Sequence, residues 1–280
     1  MKTPITLTLS LSLAGILPAA PRLDIEYANV AGESLKLDAS VPEGAGPFPA
    51  VILVHGGGWT GGDKSGGNSK GYMVPMHDAL SAAGFAWFSI NYRLAPKHKY
   101  PACIEDVETA IRWVKAHAAE YHLDPKRLAL SGESAGGHLV ALAAVRADAS
   151  TRMAAIIPFY GRFDLTDDVQ PGAPLRTNYA ALFGRPTFDT EAQTLLHEAS
   201  PLLRVKKGLP PFLLVHGSAD KTVPYEQSTL LLARLRAAGV PSELLTIQGG
   251  AHGMLGWPAF APTFKQDVVA WLTRTLNAKR

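Results

Sequence analysis

Short apolar runs, several of them ending in glycine-rich segments, recur along this chain and constrain its fold more than any other feature. Three of them lie at residues 50–54, 154–159 and 212–215. A strand with one face in water alternates apolar and polar residues, whereas a continuous apolar run is typical of a strand buried on both faces. Segments with apolar residues at helical spacing, such as 104–121, separate these runs. The alternation predicts one α/β domain with a mostly parallel central sheet flanked by helices.

The same patterns predict the individual elements. Strands are expected at 22–27, 34–41, 50–54, 85–90, 127–130, 154–159, 212–215 and 242–247, and helices at 72–83, 104–121, 137–145, 230–238 and 264–276. Residues 123–125 are interpreted as the end of the second helix. Segment 164–200 contains three prolines and exceeds an ordinary connection in length, so it is predicted to be a short cap-like insertion. It either shapes a substrate entrance or is an irregular surface excursion with short helices such as 191–198.

Composition excludes several classes of protein. Apolar residues make up 47% and charged residues 18% of the 280 positions, which excludes a disordered chain. The net charge is only +3, and no run of basic residues is present, so no nucleic-acid partner is expected. The single cysteine, Cys103, cannot form an intramolecular disulfide, and it is interpreted as a buried helix residue. No metal ion or organic cofactor is expected.

The first 20 residues have the pattern of a targeting signal. Lys2 precedes an uncharged stretch at 5–17, and small residues follow it. This order is typical of a secretory signal peptide, so the protein is expected to be secreted or periplasmic, with residues 21–280 forming the mature domain. A merely hydrophobic leader is the alternative, because the cleavage site is poorly defined. The stretch is shorter than the ~20 residues that cross a bilayer, so no membrane span is expected in the mature form.

A nucleophile motif follows the fifth predicted strand. Residues 132–136 read G-x-S-x-G, directly between an apolar strand and a helix. This is the context in which the motif acts as a nucleophile elbow, where small residues allow the strand to turn sharply into the helix. We therefore predict that Ser134 is a catalytic nucleophile.

A serine hydroxyl is a weak nucleophile, so it needs a base and an acid that orients the base. His252 lies in a small-residue loop after the last predicted strand, and Asp220 lies just after the strand before it. The order Ser, Asp, His is typical of hydrolases with a nucleophile elbow. Asp164 also follows a strand and is the alternative acid. We predict Ser134, Asp220 and His252 as the catalytic residues.

A third motif, HGGGW at residues 55–59, follows the strand at 50–54. Its glycines leave the backbone accessible, and fixed main-chain amides stabilise the negative charge that develops on a carbonyl oxygen under attack. We predict that the amides of Gly57, Gly58 and Ala135 form an oxyanion hole, with His55 in a structural role. A phosphate-binding loop is disfavoured, because no phosphate-loop motif includes Lys64.

These motifs together resemble a known superfamily. The chain carries HGGGW at 55–59, NYRLAP at 91–96, GESAGGH at 132–138, LVHGSADKTVP at 214–224 and GGAHG at 249–253. The set resembles the α/β-hydrolase superfamily over residues 22–276. Within it, the chain is most similar to secreted bifunctional feruloyl and acetylxylan esterases, close to hormone-sensitive-lipase-like carboxylesterases. The resemblance implies the α/β-hydrolase fold and places nucleophile, acid, base and oxyanion donors on the residues named above.

The resemblance also suggests a substrate. Because HGGGW begins at residue 55, little chain is left for the helical N-terminal cap of the lipase-like group. A more open site is expected, which favours feruloyl or acetyl esters attached to plant polysaccharides. A general short-chain carboxylesterase or lipase-like enzyme is the alternative, and an amidase or a catalytically silent binding module are more distant ones. Four residues near the catalytic loops are candidates for substrate binding: Trp59, Tyr160, Leu255 and Trp257. Core packing is equally compatible with each of them. The oligomeric state is not predicted.

Overall fold

A computed structural model describes residues 20–66, 73–167 and 169–278 of the chain. The predicted signal peptide therefore lies outside the described residues, except for Ala20. The strands are β1 (Arg22–Val30), β2 (Glu33–Ser40), β3 (Phe48–Val54), β4 (Ala86–Ile90), β5 (Leu123–Glu133), β6 (Ala155–Phe159), β7 (Phe212–Gly217) and β8 (Ser242–Ile247). The helices are α1 (Val74–Ala82), α2 (Ala102–Ala116), α3 (Ala135–Arg146), α4 (Thr177–Phe183), α5 (Thr190–Glu198), α6 (Glu226–Ala237) and α7 (Phe264–Asn277). Two 3-10 helices span Pro201–Arg204 and Met254–Ala259.

The eight strands form one sheet in the order β1-β2-β4-β3-β5-β6-β7-β8. β2 pairs antiparallel with both β1 and β4, and every other neighbouring pair is parallel. The predicted mostly parallel sheet with flanking helices is therefore confirmed. Because parallel strands share one direction, the loops after β3, β5, β7 and β8 all leave the sheet at its carboxyl edge, where sheets of this kind bind ligands.

Two hydrophobic cores cover the two faces of the sheet, which explains the continuous apolar runs. Successive side chains of β3 point to opposite faces. Ile52 and Val54 pack in one core with residues of α2 and α3, whereas Val51 and Leu53 pack in the other with residues of α1 and α7. Both faces of the central strands are therefore buried against helices.

The structure differs from the predicted elements in two places. Residues 123–125 do not end a helix, because β5 already begins at Leu123, which pairs with Phe48 of β3. No sequence pattern predicted α4. This helix ends at Phe183 and is capped by Gly184, which has a φ of 65°, and it buries Tyr179 and Leu182 in the larger core.

Segment 164–200, predicted as a cap-like insertion, contains α4 and α5 and packs against the larger core. A short antiparallel bridge between Pro174 and Thr187 connects the chain before α4 to the chain before α5. No helix within the described ranges is long and apolar enough to cross a membrane.

A buried ion pair connects the chain after β3 to β2. The Lys64 ammonium lies 2.8 Å from Asp38 Oδ1 and 3.0 Å from Asp24 Oδ1. The side chains of Lys64 and Asp38 are 10% and 7% exposed. The lysine charge therefore compensates a carboxylate that is almost removed from water.

Candidate active site

The turn between β5 and α3 holds Ser134 in a strained conformation. Its φ is +53°, a value that residues with a Cβ rarely adopt. The Ser134 amide donates to the Phe159 carbonyl at 3.0 Å, and its carbonyl accepts from the His138 amide at 2.9 Å. These two hydrogen bonds fix the turn, and Ser134 lines a pocket of about 660 Å³.

The glycines on both sides of Ser134 are required by packing. A Cβ on Gly132 would lie 2.6 Å from the Gly136 carbonyl oxygen, and a Cβ on Gly136 would lie 2.1 Å from the Val54 carbonyl oxygen. Both distances are shorter than any normal contact. The tight turn between the strand and the helix is therefore possible only without side chains at these two positions.

Two loops at the carboxyl edge bring an acid and a base to Ser134. His252 follows β8, and its Nε2 lies 3.0 Å from Ser134 Oγ. Its Nδ1 lies 2.7 Å from Oδ2 of Asp220, which follows β7. The alternative acid, Asp164, instead accepts hydrogen bonds from the amide and hydroxyl of Thr166 in a local turn. The structure thus brings together the three residues predicted to be catalytic.

Asp220 is held by more partners than the sequence suggested. Its Oδ1 accepts the amides of Thr222 and Val223 at 2.8 and 2.9 Å. Its Oδ2 is shared by His252 and by Nε2 of the fully buried His216, 3.2 Å away. Burial by itself would raise the pKa of Asp220, but hydrogen bonds from the two histidines and from the Val223 amide outweigh it and hold the pKa well below its usual value. Asp220 is therefore ionised and fixed in orientation.

His216 is a site residue that sequence reasoning missed. It lies on β7, where its Nδ1 is 2.7 Å from Ser228 Oγ on α6, and its Nε2 also lies 3.1 Å from the Val223 carbonyl. Because Nε2 faces a carboxylate and a carbonyl, it is the nitrogen that donates, and Nδ1 accepts from the serine hydroxyl. His216 is the first residue of HGSAD at 216–220, and this sequence carries no sign of which oxygen the histidine faces.

Residues 55–59, which we call the amide loop, follow β3, and residues 57–59 line the same pocket as His252. Gly57 and Gly58 have φ values of 95° and 62°, and a Cβ on Gly57 would lie 2.1 Å from the Gly61 carbonyl oxygen. The Tyr92 hydroxyl lies 3.1 Å from the carbonyl oxygens of both His55 and Gly56. Together with Ala135 at the start of α3, the two glycines line the same pocket as Ser134.

Two buried histidines support the amide loop. His55 stacks on Tyr92 with ring centroids 4.4 Å apart, and burial lowers its pKa to about 4. His138 on α3 accepts from the Trp59 indole at 3.2 Å and donates to the Ala199 carbonyl at 2.7 Å, and burial also lowers its pKa to about 4. Both rings are therefore neutral near pH 7, which agrees with the structural role predicted for His55.

Glu133, next to Ser134, also contacts the amide loop. Its Oε1 accepts the Gly56 amide at 2.6 Å, and the residue is only 4% exposed. Burial raises the pKa of Glu133 to about 7, against the opposing effects of the His252 charge, the Gly56 amide and the Tyr160 hydroxyl. The carboxyl group thus titrates near neutrality beside the reacting groups.

The pocket around Ser134 has a volume of about 660 Å³. All four predicted substrate-binding residues line it, but Trp59, Tyr160 and Trp257 are at most 3% exposed, whereas Leu255 is 55% exposed. Sequence reasoning missed several further residues of the wall, which are Arg162, Arg176, Asn178, Tyr179, Thr222, Val223 and Phe260. The described residues include no group of three or more His, Cys, Asp or Glu side chains able to hold a metal ion.

The sequence matches those of known esterases. A family model described as BD-FAE matches residues 37–235. Esterase LipC of Mycobacterium tuberculosis is 35% identical over 223 residues, which are 74% of this chain and 53% of LipC. The probable carboxylic ester hydrolase LipM of the same organism is 36% identical over 205 residues, 68% of this chain and 46% of LipM. The chain thus spans about half the length of these curated relatives.

Solved structures share the fold along nearly the whole chain. A truncated form of a carbohydrate esterase from gut microbiota superimposes with a TM-score of 0.79 and 27% identity, covering 95% of this chain and 99% of that chain. Esterase 2 of Thermogutta terrifontis, phosphoramylated by tabun, gives a TM-score of 0.72 and 26% identity, covering 98% and 100%.

Proposed function

The chain belongs to the BD-FAE family of the α/β-hydrolase superfamily, and on that basis we propose that it is a serine carboxylic ester hydrolase. The observation that carries the proposal is the hydrogen-bonded row from Ser134 Oγ to His252 at 3.0 Å and from His252 to Asp220 at 2.7 Å. This arrangement supplies the nucleophile, the base and the orienting acid of an acyl-enzyme mechanism.

Each step uses a group that the geometry supports. Nε2 of His252 takes the proton from Ser134 Oγ as this oxygen attacks the ester carbonyl, and the same nitrogen returns the proton to the leaving alcohol. A water molecule, activated by the same histidine, then releases the acid from the serine. The ionised Asp220 holds Nδ1–H and stabilises the imidazolium that forms in between.

The amides of Gly57, Gly58 and Ala135 are the proposed oxyanion donors. The amides of Gly57 and Gly58 donate a hydrogen bond to none of the described residues. Ala135 is at the start of α3, and the first amides of a helix have no partner within that helix. All three residues line the pocket beside the nucleophile. Each such donor contributes roughly 10²- to 10³-fold to the rate in related chemistry.

We propose feruloyl or acetyl esters of plant polysaccharides as the substrate. A pocket of about 660 Å³ lies within the range of typical ligand sites and admits an aromatic acyl group. The fold similarity to a carbohydrate esterase supports a sugar-linked substrate. The alternative, a general short-chain carboxylesterase, is supported by the exposed apolar side chains of Leu255 and Phe260 in the pocket wall and by relatives that are named simply as esterases.

Hydrolysis of p-nitrophenyl acetate by Ser134→Ala tests the proposed mechanism. The substitution should lower kcat by roughly 10⁶-fold, because the acyl group has no acceptor. Ser150→Ala, on an exposed surface turn, is the matched control and should keep the wild-type rate. Thermal unfolding of both variants should match that of the wild type. Substantial turnover by Ser134→Ala would show that another residue is the nucleophile.

The ratio of kcat/KM values among substrates tests the proposed specificity, because this ratio measures discrimination in the transition state. Methyl ferulate, acetylated xylan, p-nitrophenyl butyrate and a triacylglycerol form a sufficient panel. The proposal expects the highest values for the ferulate and xylan esters. A preference for the butyrate over both would favour the short-chain carboxylesterase, and the absence of any turnover would contradict the enzyme assignment.

A further inference from the structure

Glu133 is a buried acid that the mechanism above does not use. It is the last residue of β5, one position before Ser134, and it lines the pocket. Burying a carboxylate is costly, and a glutamine or an apolar residue would avoid that cost. The position of the carboxyl group therefore calls for an explanation within the site.

Groups from three other parts of the sheet edge interact with this carboxyl. The Gly56 amide of the amide loop donates to Oε1 at 2.6 Å. The Tyr160 hydroxyl, after β6, and His252, after β8, both favour the charged form of Glu133. Tyr160 also packs edge-on against the His252 ring, with centroids 4.8 Å apart.

The contact with Gly56 is unusually close. A Cβ on Gly56 would lie 2.0 Å from Oε1 of Glu133, so the loop backbone rests directly on the carboxyl group. The two glycines that present their amides to the pocket follow Gly56 immediately. A shift of this contact would therefore move the amides that we propose as oxyanion donors.

We propose that Glu133 is a positioning residue whose ionised carboxylate holds the amide loop in place and stabilises the positive charge that His252 acquires. The inference rests on the proposed function, because His252 becomes charged only as a catalytic base. The attraction is reciprocal: a charged imidazole favours the carboxylate, and the carboxylate favours the charged imidazole. The charged form of Glu133 is then the active form.

Because Glu133 titrates, its proposed role should make the activity depend on pH. Because burial raises its pKa to about 7, the carboxyl is neutral at pH 5.5 and charged at pH 8.5. Tyr160, whose pKa burial raises well above 10, stays protonated over this range.

Glu133→Gln separates the role of Glu133 as the hydrogen-bond acceptor of the amide loop from the role of its negative charge. A glutamine keeps an oxygen that accepts the Gly56 amide, but it carries no charge. At pH 8.5 we expect kcat/KM of the wild type to exceed that of Glu133→Gln by on the order of tenfold. Near pH 5.5 the two values should converge, because the wild-type carboxyl is then protonated.

Glu133→Ala removes the acceptor as well as the charge. It should lose about a further tenfold relative to Glu133→Gln, independently of pH, because the amide loop is no longer held. Glu43→Gln, an exposed glutamate, is the control and should follow the wild-type pH profile. Near-UV circular dichroism and urea unfolding show whether each variant is folded.

The outcomes distinguish this inference from the proposed function. A wild type without esterase activity would overturn both. An active wild type with an unchanged rate and pH profile in Glu133→Gln would overturn the inference alone. A wild-type-to-Gln ratio that is large but constant from pH 5.5 to 8.5 would also overturn it, because a purely structural role does not depend on the charge.

Discussion

The buried carboxyl of Glu133 should make the stability of the protein depend on pH in a way that Glu133→Gln abolishes. Burial raises the pKa of this group from 4.5 to about 7, so the folded state binds the proton more tightly than the unfolded chain. The stabilisation that this proton provides is complete below pH 4.5. It is lost as the pH rises to about 7, where the folded protein must bury a charge.

The size of the effect follows from the two pKa values. At about 1.4 kcal/mol for each pH unit between them, the wild type should lose about 3.5 kcal/mol of unfolding free energy through this group, most of it between pH 5 and pH 8.5. Glu133→Gln does not titrate and should not show this loss. The variant should therefore gain about 2 to 3 kcal/mol relative to the wild type over the same interval, although it is the poorer catalyst.

Urea unfolding followed by circular dichroism at several pH values measures this difference. The slopes of the transitions must agree between the two proteins for the comparison to hold. Glu43→Gln, which changes an exposed glutamate, should show no relative gain. A difference between wild type and Glu133→Gln that stays constant within about 0.5 kcal/mol from pH 5 to 8.5 would refute the reasoning, because it would mean that the carboxyl is not shifted by burial.

Three further predictions concern packing and charge away from the reacting atoms. Gly136→Ala should destabilise the fold by about 3 kcal/mol or more, because its Cβ would lie 2.1 Å from the Val54 carbonyl oxygen; a loss below about 1 kcal/mol in urea unfolding would contradict the tight turn. Lys64→Met should cost about 3 to 5 kcal/mol by the same measurement, because it leaves Asp38, 7% exposed, without its partner 2.8 Å away. Cys103 should not react with a thiol reagent until the protein unfolds, because burial raises its pKa to about 12; fast labelling of the native protein would show that the helix opens.

The sheet was predictable because its signal is local. Each central strand must be apolar on both faces, and the runs at β3, β6 and β7 satisfy this within a few residues. Short segments were harder to predict. Helix α4 has seven residues and is ordered through the burial of Tyr179, Leu182 and Phe183 against distant parts of the chain, which local pattern does not reveal.

The candidate site also has one part that local sequence predicts and one part that it does not. Ser134, Asp220 and His252 could be predicted because glycines and strand ends mark them in the sequence. The partners of these residues could not, because each depends on contacts between segments far apart in the chain. Glu133 bonds an amide 77 residues away, and only the fold shows this contact.

The sheet order has a consequence for how activity is acquired. Ser134 and His252 are 118 residues apart, and β8, which precedes His252, lies at the far edge of the sheet, paired with β7. A chain that has assembled every strand except this last one would have Ser134 and the amide loop in place but not His252, the proposed base. Regain of turnover during refolding should therefore report the docking of the outermost strand, later than optical probes that follow the central strands.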